Sequence, residues 1–181
     1  MGNKDRRWIY VFPSCLLLIG CIILGAMQIS HYQKGKENEH RYMGQLYVEL
    51  YALANVWEYF PVESSPVVGA YMVQDALLDI ETNLENGYWY VSKEVPSTAT
   101  WYFVEMASKI NPDTFVLEDG TLSQEGRNFY TLLSQDMTRL CTPLMGEDRL
   151  NFNHNLSMRN FKEVFLDFYY DYEEKGVDEA G

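Results

Sequence analysis

The chain has 181 residues, is rich in aromatic residues at 15%, and carries a formal net charge of −12. An acidic chain lacks the basic patch that binds phosphates, so we expect no nucleic-acid partner. The three cysteines are too few for a disulfide scaffold, and the length suits one domain with its own core.

A charge-free apolar stretch runs from Trp8 to Ile29, and as a helix its 22 residues would extend roughly 33 Å. This length is enough to cross the hydrocarbon core of a bilayer, so the stretch predicts a transmembrane helix over residues 8–30. The tail 1–7 is basic, which favours a cytoplasmic N-terminus. We therefore predict a single-pass signal-anchor in the cell membrane, with the rest of the chain extracytoplasmic.

A lipoprotein anchor is the alternative for this stretch. Leu18-Ile19-Gly20-Cys21 resembles a lipobox, in which Cys21 would carry the lipid. Against it, the apolar run continues beyond Cys21, where a lipoprotein usually turns polar. A cleaved secretory signal is a poorer match, because no small-residue site follows a short apolar core.

Beyond residue 30, apolar residues recur at intervals of three and four, which is the pattern of amphipathic helices. Capping residues precede these segments, and glycine, asparagine or proline follows them. We therefore predict an all-α fold, in which a bundle of four or five helices follows the single transmembrane helix. The predicted helices cover approximately residues 37–60, 66–87, 97–110, 121–144 and 157–175.

This pattern divides the chain into five predicted parts. They are a cytoplasmic basic tail at 1–7, the anchor at 8–30, a juxtamembrane stalk at 31–41, an extracytoplasmic helical domain at 42–175 and an acidic tail at 176–181. Cys141 is the only cysteine outside the apolar stretch. Since it has no intrachain partner there, we expect a buried free thiol.

The sequence contains no metalloprotease, nucleophile-elbow or phosphate-loop motif. Its histidines are far apart and lie in polar surroundings. Asp75 and Asp79 are one helical turn apart and could help to hold a divalent ion, but a solvated acidic face is the simpler interpretation. We predict that the protein is not an enzyme and has no cofactor or metal.

Two aromatic runs are the best candidates for function. Tyrosine and tryptophan are favoured at protein interfaces, and these runs place rings on several sides of their segments. Some rings should therefore remain outside the core, although core packing is the alternative. Residues 88–96 would be either the end of the second helix or an aromatic connection. The interaction candidates are Tyr88, Trp89, Tyr90, Trp101 and Tyr102.

Together these features predict an interaction or scaffolding module that binds another protein of the cell envelope. The alternative is a ligand-binding or sensing bundle that signals through a partner, with a pocket lined by Trp57, Trp89 and Trp101. The sequence also leaves a homodimer open.

The layout resembles one known family. A short membrane helix precedes a long helical stalk, then come Trp101–Ile110, a loop, Glu118–Glu125 and a helix containing Tyr130, Leu132 and Leu133. This is similar to the N-terminal helical region of the spore germination protein YpeB family. The resemblance implies a partner among envelope proteins, because that family partners a cortex-lytic enzyme. The C-terminal repeated domains of the family have no counterpart here, and the resemblance identifies no functional residue.

Overall fold

The structure is a computed structural model that describes most of the chain. Backbone is described for residues 3–60, 65–148 and 151–178. Side chains are described for residues 23–60, 65–148 and 151–174. The chain divides into two compact units, residues 1–38 and 39–181.

The regular secondary structure of the described residues is helical, with isolated bridges in place of strands, which confirms the predicted all-α class. Its helices are α1 (Asn3–Ala54), α2 (Pro66–Tyr90), α3 (Thr100–Lys109), α4 (Pro112–Phe115), α5 (Gln124–Cys141) and α6 (Met158–Asp178). Short 3-10 turns cover Val56–Tyr59, Ser97–Ala99 and Thr142–Leu144.

In the first unit, the described side chains begin at residue 23. Four apolar side chains that follow are more than half exposed, namely Ile23, Leu24, Met27 and Ile29. In the described part of the chain, no helix is both long and apolar enough to span a membrane. Most of the predicted span at 8–30, including Cys21, lies outside the residues whose side chains are described.

The second unit is built on one buried cluster to which α1 to α6 all contribute. The buried apolar residues of α1, from Met43 to Leu53, follow the predicted intervals of three and four. Beyond that residue the prediction is wrong, because α1 ends at Ala54 and Trp57 is 43% exposed. The Asn55 amide donates to the Tyr51 carbonyl at 2.9 Å, and such side-chain bonds compete with continued helix.

Helix α2 continues to Tyr90, past the predicted end at Gly87. Gly87 is buried, and a Cβ atom there would lie 2.4 Å from the ring of Tyr42. The Tyr42 hydroxyl donates to the Asn83 carbonyl at 3.1 Å, so α1 and α2 approach closely at this point. The glycine therefore serves helix packing rather than helix termination, and Tyr88–Tyr90 belongs to the helix.

In the C-terminal half, serines define the helix starts. The Ser123 hydroxyl accepts from the Gly126 amide at 3.1 Å, and Ser157 accepts from Asn160 at 3.2 Å. With Ser123 as its cap, α5 begins at Gln124, later than the predicted start near residue 121. Cys141 is free and buried, as predicted, and burial raises its pKa to about 12.

Candidate interaction surface

The predicted candidates lie where α2 ends and α3 begins. The two helices pack against each other, and the Gln74 amide of α2 donates to the Ala107 carbonyl of α3 at 3.0 Å. Their inward residues belong to the same buried cluster. This packing fixes which sides of the two helices face outward.

Three candidates remain largely outside the core. Trp89 is 67% exposed, Tyr90 is 85% exposed and Trp101 is 70% exposed. We call these three residues the aromatic surface. Exposed tryptophan and tyrosine retain large apolar areas in water, and such residues are frequent anchors of protein interfaces.

Lys93 orders one side of the aromatic surface. Its ammonium nitrogen lies 3.7 Å from the centre of the Trp89 ring and 4.2 Å from that of Tyr88. Tyr88 is half-buried and meets Trp89 edge to face, with ring centres 5.3 Å apart. The indole therefore carries a cation on one side before any partner arrives. Sequence reasoning missed Lys93, although its position one turn after Trp89 could have suggested it.

Tyr102 is the exception among the candidates, because it is only 1% exposed. Its ring packs edge to face on Phe103, Phe168 and Tyr172. The hydroxyl donates to the Asp136 carboxylate at 3.0 Å, and burial followed by this carboxylate raises the pKa of Tyr102 well above its usual value. The prediction that Tyr102 lies on an interaction surface is therefore wrong.

A groove of about 460 Å³ lies between α1 and α2. Its polar floor includes Glu49, whose carboxylate accepts from the Asn83 amide at 2.8 Å, and Asp79. The complete lining is Val48, Glu49, Ala52, Tyr59, Ala76, Asp79, Thr82 and Asn83, and we call it the acidic groove. The sequence marked Asp79 but not Glu49, because their proximity depends on how the two helices pack.

A second cavity of about 310 Å³ lies between α5 and α6. Arg139 lines this cavity and pairs with Asp171. A guanidinium nitrogen of Arg139 lies 3.7 Å from a carboxylate oxygen of Asp136, and its guanidinium carbon lies 5.0 Å from the centre of the Phe168 ring. Since its cation is already neutralised by neighbours, this cavity is poorly suited to an anionic ligand.

Neither of the two cavities is the pocket that the sequence predicted between three tryptophans. Neither of them is lined by Trp57, Trp89 or Trp101. Trp57 instead packs against Phe60 and Tyr130, with ring centres 6.1 and 6.4 Å apart.

The polar residues that gather where α3, α5 and α6 meet are paired with one another, as Lys109 is with Glu105 at 2.7 Å. His154 packs edge to face on Phe152. The described residues contain no group of three or more histidines, cysteines or carboxylates that could hold a metal ion, so Asp75 and Asp79 lack further ligands.

In comparisons with known proteins, no family model, curated protein or solved structure matches the chain. The resemblance to the YpeB family stays a prediction.

Proposed function

We propose that this chain is a membrane-anchored interaction module whose folded unit, residues 39–181, binds another protein of the cell envelope through the aromatic surface. The observation that carries the proposal is the exposure of Trp89, Tyr90 and Trp101, which are the most exposed of the aromatic residues described in this unit. No catalytic step and no cofactor form part of this function.

The energetics favour a protein partner. A few aromatic residues often dominate the free energy of binding, and truncating such a residue can cost about 2 kcal/mol or more. Two indoles and a phenol in the last turn of α2 and the first turn of α3 offer such anchors without the cost of ordering a loop.

The anchoring part of the proposal rests on residues 8–30. Their charge-free sequence is long enough to cross a bilayer, and the basic tail favours a cytoplasmic N-terminus. The exposed apolar side chains from Ile23 to Ile29 support contact with lipid, because they have no core to pack on. A lipid on Cys21 is the alternative anchor, which mass spectrometry of the full-length protein would distinguish.

Photo-crosslinking in cells tests the interaction. A photoreactive amino acid at Trp89 or Trp101 of the full-length protein should give one discrete adduct with an envelope protein. Leu132 supplies the matched control, because it is similarly exposed but lies on α5. Adducts of equal yield from all three positions, or none from Trp89 and Trp101, would refute the proposal.

A ligand-binding function is the second candidate, and the acidic groove favours it. Its volume of about 460 Å³ is within the range of small-molecule sites. Thermal stabilisation of the full-length protein by a small cationic compound, lost in Glu49→Gln, would support this alternative over a protein partner.

A further inference from the structure

The outer face of α2 is apolar in the first half of the helix and again in its last turn. Its inward side buries the residues that join the core, including Val73, Leu77 and Leu84. The opposite side leaves apolar and aromatic residues exposed at both ends of a span of roughly 33 Å, and residues 79–86 between them expose polar side chains. The exposed residues are Val68, Tyr71, Met72, Leu78, Trp89 and Tyr90.

The same face is strongly acidic. Helix α2 contains four carboxylates and neither lysine nor arginine. Asp75, Asp79 and Glu85 are exposed, and no lysine or arginine in the described part of the chain forms an ion pair with them. Carboxylates between exposed apolar side chains attract a surface that is both apolar and cationic.

The acidic groove extends this face toward α1. Glu49 and Asp79 contribute carboxylates from the two helices, while Val48, Ala52 and Ala76 form apolar walls. Because the Asn83 amide holds the Glu49 carboxylate, that charge is already positioned. A lysine or arginine side chain fits this chemistry, since its methylene stem can lie on the walls with its charge between the carboxylates.

We propose that the outer face of α2 binds a cationic amphipathic helix of the partner protein, with a lysine or arginine of that helix in the acidic groove. The inference rests on the proposed function and specifies the chemistry of the partner. In the first half of α2, the exposed apolar residues from Val68 to Leu78 are spaced by three, four and seven, which matches the ridges of a second helix. Trp89 and Tyr90 contact the end of that helix, so the aromatic surface becomes one end of a longer interface.

Charge also argues against the other occupants. In a dimer through this face, the carboxylates of two α2 helices would oppose each other, which disfavours a second copy. An anionic bilayer would likewise be repelled by Asp75, Asp79 and Glu85. Lys93 lies beside Trp89 at the end of this face, so the charges favour a protein segment that is cationic along Asp75, Asp79 and Glu85 and uncharged where it meets Trp89.

The test uses the full-length protein in detergent micelles and a synthetic amphipathic peptide of leucine and lysine, about 18 residues or roughly 27 Å long as a helix. A peptide with glutamate in place of lysine is the control. Binding is measured by fluorescence anisotropy of the labelled peptide for the unmodified protein and for Glu49→Gln/Asp79→Asn. The matched control, Glu118→Gln/Asp113→Asn, removes two exposed carboxylates outside the groove.

We expect the lysine peptide to bind and the glutamate peptide not to bind. The groove variant should bind the lysine peptide about tenfold more weakly, and the control variant should change binding less than twofold. Binding should also weaken as salt rises from about 50 to 300 mM. Circular dichroism should show unchanged helicity for both variants, since glutamine can still accept from Asn83.

Equal loss of affinity in the groove and control variants would overturn the inference, as would a groove variant that binds the lysine peptide as tightly as the unmodified protein does. Self-association that Asp79→Asn strengthens would point to a second copy and also overturn it. The proposed function is judged separately: an adduct at Trp89 whose yield is unchanged in Glu49→Gln/Asp79→Asn keeps the interaction module and refutes the cationic helix.

Discussion

The outer face of α2 and the junction of α3, α5 and α6 contain similar residue types. Those of the junction are bonded to one another, whereas those of α2 are exposed. At the junction, the Tyr102 hydroxyl meets Asp136, and Arg139 pairs with Asp171. Lys109 lies 2.7 Å from Glu105, to which the Tyr172 hydroxyl donates at 2.9 Å. On α2, tyrosines, a tryptophan and carboxylates stay exposed, and the described contacts of Trp89 are with its chain neighbours Lys93 and Tyr88.

This difference separates residues that stabilise the fold from residues that are available for binding. The buried Tyr102 hydroxyl has its acceptor in Asp136, and the polar groups around it are positioned by their mutual bonds. Exposed rings add little to the stability of the fold, because their apolar area stays in water. They contribute to the free energy of binding when a partner covers them. The comparison can be tested by mutations on either side of it.

The sharpest test uses the neighbours Trp101 and Tyr102. Tyr102→Ala should lower the free energy of unfolding by about 3–5 kcal/mol, because it leaves a cavity among three rings. Trp101→Ala should change it by less than about 0.5 kcal/mol. Urea denaturation of the full-length protein, followed by circular dichroism, measures both. Similar losses in the two variants would mean that Trp101 also belongs to the core.

Two glycines provide the next test. Gly87→Ala should destabilise the fold by about 1–3 kcal/mol, since the added methyl group would meet Tyr42. Gly44→Ala should stabilise it by up to about 1 kcal/mol, because its nearest neighbour would lie at 3.8 Å and alanine favours helix. The same denaturation measurement applies. A neutral Gly87→Ala would show that α1 and α2 are less closely packed.

Alkaline pH tests the buried thiol. The pKa of Cys141 is raised from its ordinary 9.0 to about 12, so the unfolded chain loses this proton first. Its contribution to stability is therefore complete below pH 9 and is lost as the pH rises toward 12. Between pH 9 and 10 the loss should be about 1 kcal/mol. Cys141→Ala should reduce the slope of unfolding free energy against pH in this range, and an unchanged slope would contradict the burial.

The smallest effect is expected at Lys93. Lys93→Met removes the cation beside Trp89 and Tyr88 but retains most of the stem. The free energy of unfolding should fall by about 0.5–1 kcal/mol at most. Tryptophan fluorescence should change with it, and Lys36→Met provides a control, since that lysine lies 5.4 Å from the Tyr32 ring. An unchanged emission spectrum would place Lys93 away from the indole.

Helix positions were predictable because they depend on short-range patterns. Apolar spacing placed the inward faces of α1 and α6, and a serine before an apolar run placed the starts of α5 and α6. Helix ends were less predictable. α1 stops at Asn55 through a side-chain bond, and α2 passes Gly87 because Tyr42 occupies the space beside it.

The candidate surface was predictable only in part. Trp89, Tyr90 and Trp101 were selected from two aromatic runs. So was Tyr102, which neighbours Trp101 in the chain but is buried in the core. Local propensity cannot separate these two residues, since the angular position of α3 against α5 and α6 decides which ring is buried. The same applies to Glu49 and Asp79, which are far apart in the chain but line one groove.

The sequence by itself determined the helical class, the charge of the exposed faces and the apolar stretch near the N-terminus, because these depend on composition and on intervals of a few residues. Only the tertiary structure decided which aromatic rings remain in water and which carboxylates face each other across α1 and α2. Those outcomes depend on close packing between helices, where one glycine sets how near two backbones come and therefore which side chains meet.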